Sequence, residues 1–118
     1  MLEGKRILVV EDEPLVAMLL EEMLLDCGCE VVGPAYSLLQ GSRLAESEAL
    51  DAAVLDVNLN GELSHGIAEV LQARGVPFAF ATGYGSPPPM AIDSGAPVLQ
   101  KPYPADRLEA VLRELLAD

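Results

Sequence analysis

The sequence predicts an α/β fold, a doubly wound sheet of five parallel strands with helices on both faces. Two observations predict it. Apolar runs of strand length alternate with longer segments of helical period, five times over, which is the pattern of βα repeats. The strand runs also show no polar alternation, as expected where both faces of a sheet are covered. Expected as one domain over residues 1–118, the chain is long enough to bury a single sizeable core.

The first strand runs from Lys5 to Val10, with Ile7, Leu8, Val9 and Val10 at its centre. Pro14 then opens a helix, since its missing N–H would be unpaired in a first turn anyway, and Gly28 stands where a left-handed cap ends it. A second strand over Cys29–Pro34 leads to a helix capped by Ser37, with Leu38, Leu39, Leu44 and Ala45 for its buried side. The third strand is Ala52–Val57, followed by a loop over 58–61 and a helix over Glu62–Ala73 that Gly75 stops. Strand four is Pro77–Thr82. The proline-rich stretch after it leaves room only for a short helix between Pro89 and Asp93. Strand five, Pro97–Gln100, precedes a helix from Pro104 with Leu108, Val111, Leu112 and Leu115 at helical spacing.

Composition narrows the function. Acidic residues outnumber basic ones 19 to 7, a formal net charge of −12, which repels a phosphate backbone, so no nucleic-acid partner is expected. No stretch approaches the roughly 18 apolar residues of a membrane span, and no secretory signal precedes strand one, so no membrane partner and a cytoplasmic location are expected. Cys27 and Cys29 have no companions to complete a metal site and read as ordinary thiols. His65, the only histidine, reads as an exposed helix residue.

In an open α/β sheet, ligands bind beyond the carboxyl ends of the strands. Glu11 and Asp12 follow strand one, Asp56 ends strand three, Thr82 ends strand four and Lys101 follows strand five. Singly, each has a plainer reading: Asp56 as a turn former, Asp12 or Glu13 as a helix cap, Thr82 as a turn hydroxyl and Lys101 as surface. Together they place three carboxylates, a hydroxyl and an ammonium at one sheet edge. Oxygen-only donors suit Mg²⁺, a carboxylate can accept phosphorus, and Thr82 and Lys101 can steady the other phosphoryl oxygens.

These residues carry a family resemblance along nearly the whole chain. Val9-Val10-Glu11-Asp12-Glu13-Pro14, Leu55-Asp56-Val57-Asn58, Ala81-Thr82-Gly83 and Gln100-Lys101-Pro102-Tyr103 resemble the motifs of response-regulator receiver domains. The resemblance implies a flavodoxin-like sheet in the order 2-1-3-4-5. It also implies a stand-alone unit, a monomer or weak dimer, that takes a phosphoryl group on Asp56 from a histidine kinase or phosphotransferase protein and signals by protein contact. Asp12 would ligate Mg²⁺ directly, Glu11 mostly through water, Asn58 by its backbone carbonyl, and Thr82 and Lys101 would bind the phosphoryl group.

Two departures stand out. Val98 occupies the place of the family's usual strand-five aromatic, and Leu59 and Asn60 replace the common Met-Pro pair. Phe80-Ala81-Thr82-Gly83-Tyr84 resembles the single-domain subgroup named for a similar motif, where Tyr84 is a candidate substitute for the missing switch. Met18 and Leu25, with Pro14, form either a kinase-docking stripe on the side of helix one away from Leu19 and Met23, or a buried one. A phosphatase of the haloacid dehalogenase type would use a similar set, but Asn58 stands where such enzymes need a general acid. A binding-only relative would not need the complete acidic set.

Overall fold

The computed structural model describes residues 2–59, 62–83, 95–101 and 103–117. Its elements are β1 (Arg6–Val10), α1 (Pro14–Asp26), β2 (Glu30–Ala35), α2 (Leu38–Ser47), β3 (Ala52–Asp56), β4 (Asn58–Leu59), β5 (Glu62–Leu63), α3 (His65–Arg74), β6 (Phe78–Thr82), β7 (Val98–Gln100) and α4 (Ala105–Leu116). The main sheet is wholly parallel, in the order β2-β1-β3-β6-β7, which is the expected 2-1-3-4-5 when only its own strands are counted.

Strand alternation sorts the core into two layers. Leu8, Val10, Ala53, Leu55, Phe78 and Phe80 face α2 and α3, meeting Ala45, Ile67 and Leu71. Their neighbours Ile7, Val9, Ala52, Val54, Ala79 and Ala81 face the other way, onto Leu20 and Leu24 of α1 and Leu108, Val111 and Leu112 of α4. Both faces of the sheet are therefore covered, as the unbroken apolar strands require.

Gly28 and Gly75 adopt left-handed conformations at φ 85° and φ 72°, ending α1 and α3 as expected. The Ser37 hydroxyl caps α2 by accepting from the Gln40 amide at 3.2 Å. Arg6 ties the amino end of the sheet, its guanidinium reaching Glu30, Glu48 at 2.9 Å and the Ala49 carbonyl at 2.6 Å.

Three expectations are corrected. The helix expected from Glu62 starts at His65, because Asn58 and Leu59 pair antiparallel with Leu63 and Glu62, and this hairpin takes the residues of the expected first turn. Leu39 is 60% exposed: α2 buries Gly41 and Ala45, with Leu38 and Leu44 partly covered, and Leu39 lies to one side of that stripe. On α1 the buried line is Ala17, Leu20 and Leu24, leaving Leu19 47% exposed beside the exposed Met18 and Leu25. The buried alternative for the Met18 and Leu25 stripe is thus removed. The short helix expected over 89–93 lies outside the described residues.

The stripe on α2 follows from a close approach. A Cβ built at Gly41 would stand 2.7 Å from Ile67 Cδ1 and 3.1 Å from both γ-carbons of Val10, so α2 lies against β1 and α3 with no room for a larger side chain. Gly66, with nothing within 4 Å of such a Cβ, is unconstrained. We expect Gly41→Val to lower the unfolding free energy by about 1–3 kcal/mol through overpacking. Gly66→Ala should leave it unchanged or raise it by up to about 1 kcal/mol. Urea denaturation of both variants checks the pair.

Candidate acidic metal and phosphoryl site

The carboxyl edge of the sheet is set by backbone hydrogen bonds that run just past the strands. The Glu11 amide donates to the Ala35 carbonyl at 2.9 Å, the Val57 amide to Ala81 at 3.1 Å and the Lys101 amide to Thr82 at 2.8 Å. Val10 pairs with Leu55 and Asp56 with Ala81, so Glu11 comes level with Asp56 and the two carboxylates share one edge. Each is carried there by an apolar strand that cannot turn its polar end inward without losing its core contacts.

The side chains converge. Carboxylate oxygens of Glu11, Asp12 and Asp56 all lie within 4.8 Å of one another. Lys101 Nζ stands 2.6 Å from Glu11 Oε1 and 3.3 Å from Asp56 Oδ2. The second Glu11 oxygen accepts from the Glu13 amide at 3.1 Å, so Glu11 is held at both ends while it is only 2% exposed. Thr82 is buried at the end of β6, and Asn58 lies half-buried on β4, two residues beyond Asp56. Every residue singled out in the sequence for this site is therefore found at this edge, except that Tyr84 falls outside the described residues.

The electrostatics follow from crowding. Burial first, then the Glu11 charge, pushes the Asp56 carboxyl up from 3.8 to about 7, against the opposing pull of Lys101. Burial draws the Lys101 ammonium down, but the hydrogen bond to Glu11 and the charges of Asp56 and Glu11 outweigh it and hold the group above its ordinary value. With all three carboxylates ionised and one ammonium beside them, two negative charges are left over. A surplus of that size among hard oxygen donors fits a divalent, oxygen-seeking cation such as Mg²⁺.

Tyr103 is the residue that the sequence named, in the lysine motif, without a role of its own. It lies two positions beyond Lys101, and burial, then the charges of Glu11 and Asp56, push its phenol up to about 12. With Lys101 and residues of α1 it lines a groove of about 350 Å³. An aromatic so close to the lysine was the available signal. Cys27 and Cys29 sit far from this chemistry on the α1–β2 connection, their thiols both pushed up chiefly by burial, and His65 is exposed as expected.

The raised Asp56 carboxyl has a defined effect on stability. Between 3.8 and about 7 the folded protein keeps a proton that the unfolded chain has released, so stability falls as pH rises through that window. Asp56→Asn removes the effect. The variant should be more stable than wild type by about 2–4 kcal/mol at about pH 8, the lower figure allowing for solvent screening, and the gap should close below about pH 4. Urea melts at the two pH values test this, and a wild type as stable as the variant at the higher pH would contradict it.

Comparison with known proteins agrees with the geometry. Residues 7–113 match the response regulator receiver domain family. The structure is similar to SdrG from Sphingomonas melonis Fr1, 43% identical, covering 97% of this chain and 98% of that one with a TM-score of 0.84. It is also similar to the receiver domain of the sensor histidine kinase PA1611 from Pseudomonas aeruginosa PAO1, which was solved with a magnesium ion in its active-site cleft. That domain is 25% identical, with 98% and 99% of the two chains covered and a TM-score of 0.85. PhyR from Brucella abortus is 28% identical over 96% of this chain but only 48% of its own, with a TM-score of 0.81. No curated protein matches the sequence. By its parallel sheet, its edge of acids and lysine, and its match over residues 7–113, the chain belongs to the response regulator receiver domain family.

Proposed function

We propose that Asp56 accepts a phosphoryl group from a phosphohistidine of a histidine kinase or phosphotransferase protein, in a Mg²⁺-dependent reaction, and that the loaded protein signals by protein contact. The observation that carries this reading is the convergence of Glu11, Asp12 and Asp56 within 4.8 Å, with Lys101 bridging two of them. The match along 98% of SdrG supports a regulator acting as a single domain.

In this reading a carboxylate oxygen of Asp56 forms the new bond to phosphorus. The N–P bond of the donor breaks, and its electron pair stays with the imidazole. Lys101, already 3.3 Å from Asp56, leaves Glu11 for the incoming phosphoryl oxygens, and the Thr82 hydroxyl donates to another of them. Asp12, Asp56 and the Asn58 carbonyl would hold Mg²⁺, with Glu11 acting through water. The ion would neutralise the surplus charge and polarise a phosphoryl oxygen. The protein assists its own phosphorylation and dephosphorylation and is a signalling unit rather than an enzyme with a separate substrate. No helix among the described residues is long and apolar enough to cross a membrane. The reading places the protein in the cytoplasm.

The face of α1 supports the partner assignment. Leu15, Met18 and Leu19 are 64%, 48% and 47% exposed, an apolar stripe on the half of α1 nearer the acidic edge where a donor would dock, and Leu25, 55% exposed, continues it toward the far end of the helix.

Intact mass after incubation with Mg²⁺ and acetyl phosphate tests the proposal. One alkali-labile phosphoryl adduct is expected on wild type, none on Asp56→Asn and none on wild type with the metal chelated. An adduct that survives the Asp56→Asn substitution would overturn the assignment of the acceptor.

A further inference from the structure

Lys101 belongs to two places at once. Its ammonium bridges Glu11 and Asp56 in the acidic pocket, and the same residue lines the groove formed with Val16, Leu20 and Met23 of α1. Tyr103 forms another wall of that groove and packs against the α1 and α4 side of the core. Burial chiefly, and then the field of the Glu11 and Asp56 carboxylates, push its phenol up. Among the described residues it is therefore the aromatic ring that touches both the charge of the pocket and the apolar face of α1.

The backbone at Lys101 is held by the hydrogen bond its amide donates to the Thr82 carbonyl at 2.8 Å. When the ammonium leaves Glu11, the movement is confined to the side chain and so falls on what shares the groove with it. The β7 position where an aromatic switch was expected carries Val98, half-buried against the opposite core layer and unable to report on this groove.

We propose that Tyr103 couples the loading of the acidic pocket to the groove on α1, its ring repacking against Leu20 and Met23 when Lys101 leaves Glu11 for a bound phosphoryl group. The coupling rests on Asp56 being the acceptor. It means that phosphorylation remodels the groove beside the exposed stripe of α1, so that the loaded protein presents an altered surface there to its next partner.

The methionine methyl groups give a direct readout, since the chain has four methionines and Met23 lines the groove while Met18 lies on the exposed side of α1. Mg²⁺ and beryllofluoride load the site, and the Val57 amide reports loading independently. In wild type, loading should shift the Met23 methyl resonance and leave Met18 nearly fixed. Tyr103→Ala should still load, by the Val57 amide, yet lose most of the Met23 shift, while Tyr103→Phe should keep it. A full Met23 shift in a loaded Tyr103→Ala protein would overturn the coupling and leave the acceptor reading standing. A wild type whose Val57 amide does not respond would overturn both.

Discussion

Three carboxylates face one ammonium at the carboxyl edge of the sheet, and the rest of the structure is arranged around that imbalance. Glu11 and Asp56 are buried, so neither can be screened by water as a surface acid is. Lys101 answers part of the repulsion by sitting 2.6 Å from Glu11 and 3.3 Å from Asp56. Asp56 bears the effect of what remains, its carboxyl pushed up to about 7 by burial and then by the Glu11 charge. The two apolar layers of the core hold the strand ends in place against this repulsion, because releasing any one of them would expose a strand covered on both faces.

The same imbalance gives the site its chemistry. A buried carboxylate crowded by a second one is stabilised by whatever brings positive charge to the edge, which is the physical basis of the proposed Mg²⁺ site. Folding stability is sacrificed locally for a site prepared to bind, as is common at functional positions. Lys101 is the movable part of this arrangement. Its backbone is fixed at Thr82 and its ammonium is held only by charges that a phosphoryl group can outbid, which makes it the natural link between pocket and groove.

Much of this was legible in the sequence because it depends on local chemistry. Ile7 to Val10 and Ala52 to Leu55 read as doubly covered strands, Pro14 and Gly75 mark helix ends, and Glu11, Asp12, Asp56, Thr82 and Lys101 lie where strands stop. The strand order, by contrast, came only from family likeness, since hydrophobic period does not say which strands are neighbours. Leu39 looked like core on hydrophobicity alone, and the Met18 and Leu25 stripe read equally as buried or exposed. Which side is exposed depends on the direction each helix faces, which for α2 is set by the tight fit of Gly41 against Val10 and Ile67. The β4–β5 hairpin was hidden because two paired residues leave too short a pattern to detect. Tyr103 had no role in the sequence reading because its place depends on neighbours distant in sequence, the Glu11 and Asp56 carboxylates and the groove on α1.

In this reading Asp56 is held hard to ionise by burial and the Glu11 charge until a divalent cation arrives. The most direct measurement is the titration of its side-chain carboxyl by ¹³C NMR, with and without saturating Mg²⁺, using Asp56→Asn to assign the resonance. Without the metal the midpoint should lie near 7, and with it the midpoint should fall well below that value. An Asp56 carboxyl that titrates like an ordinary aspartate in both conditions would contradict the account, because the pocket would then hold no surplus charge for a cation to relieve.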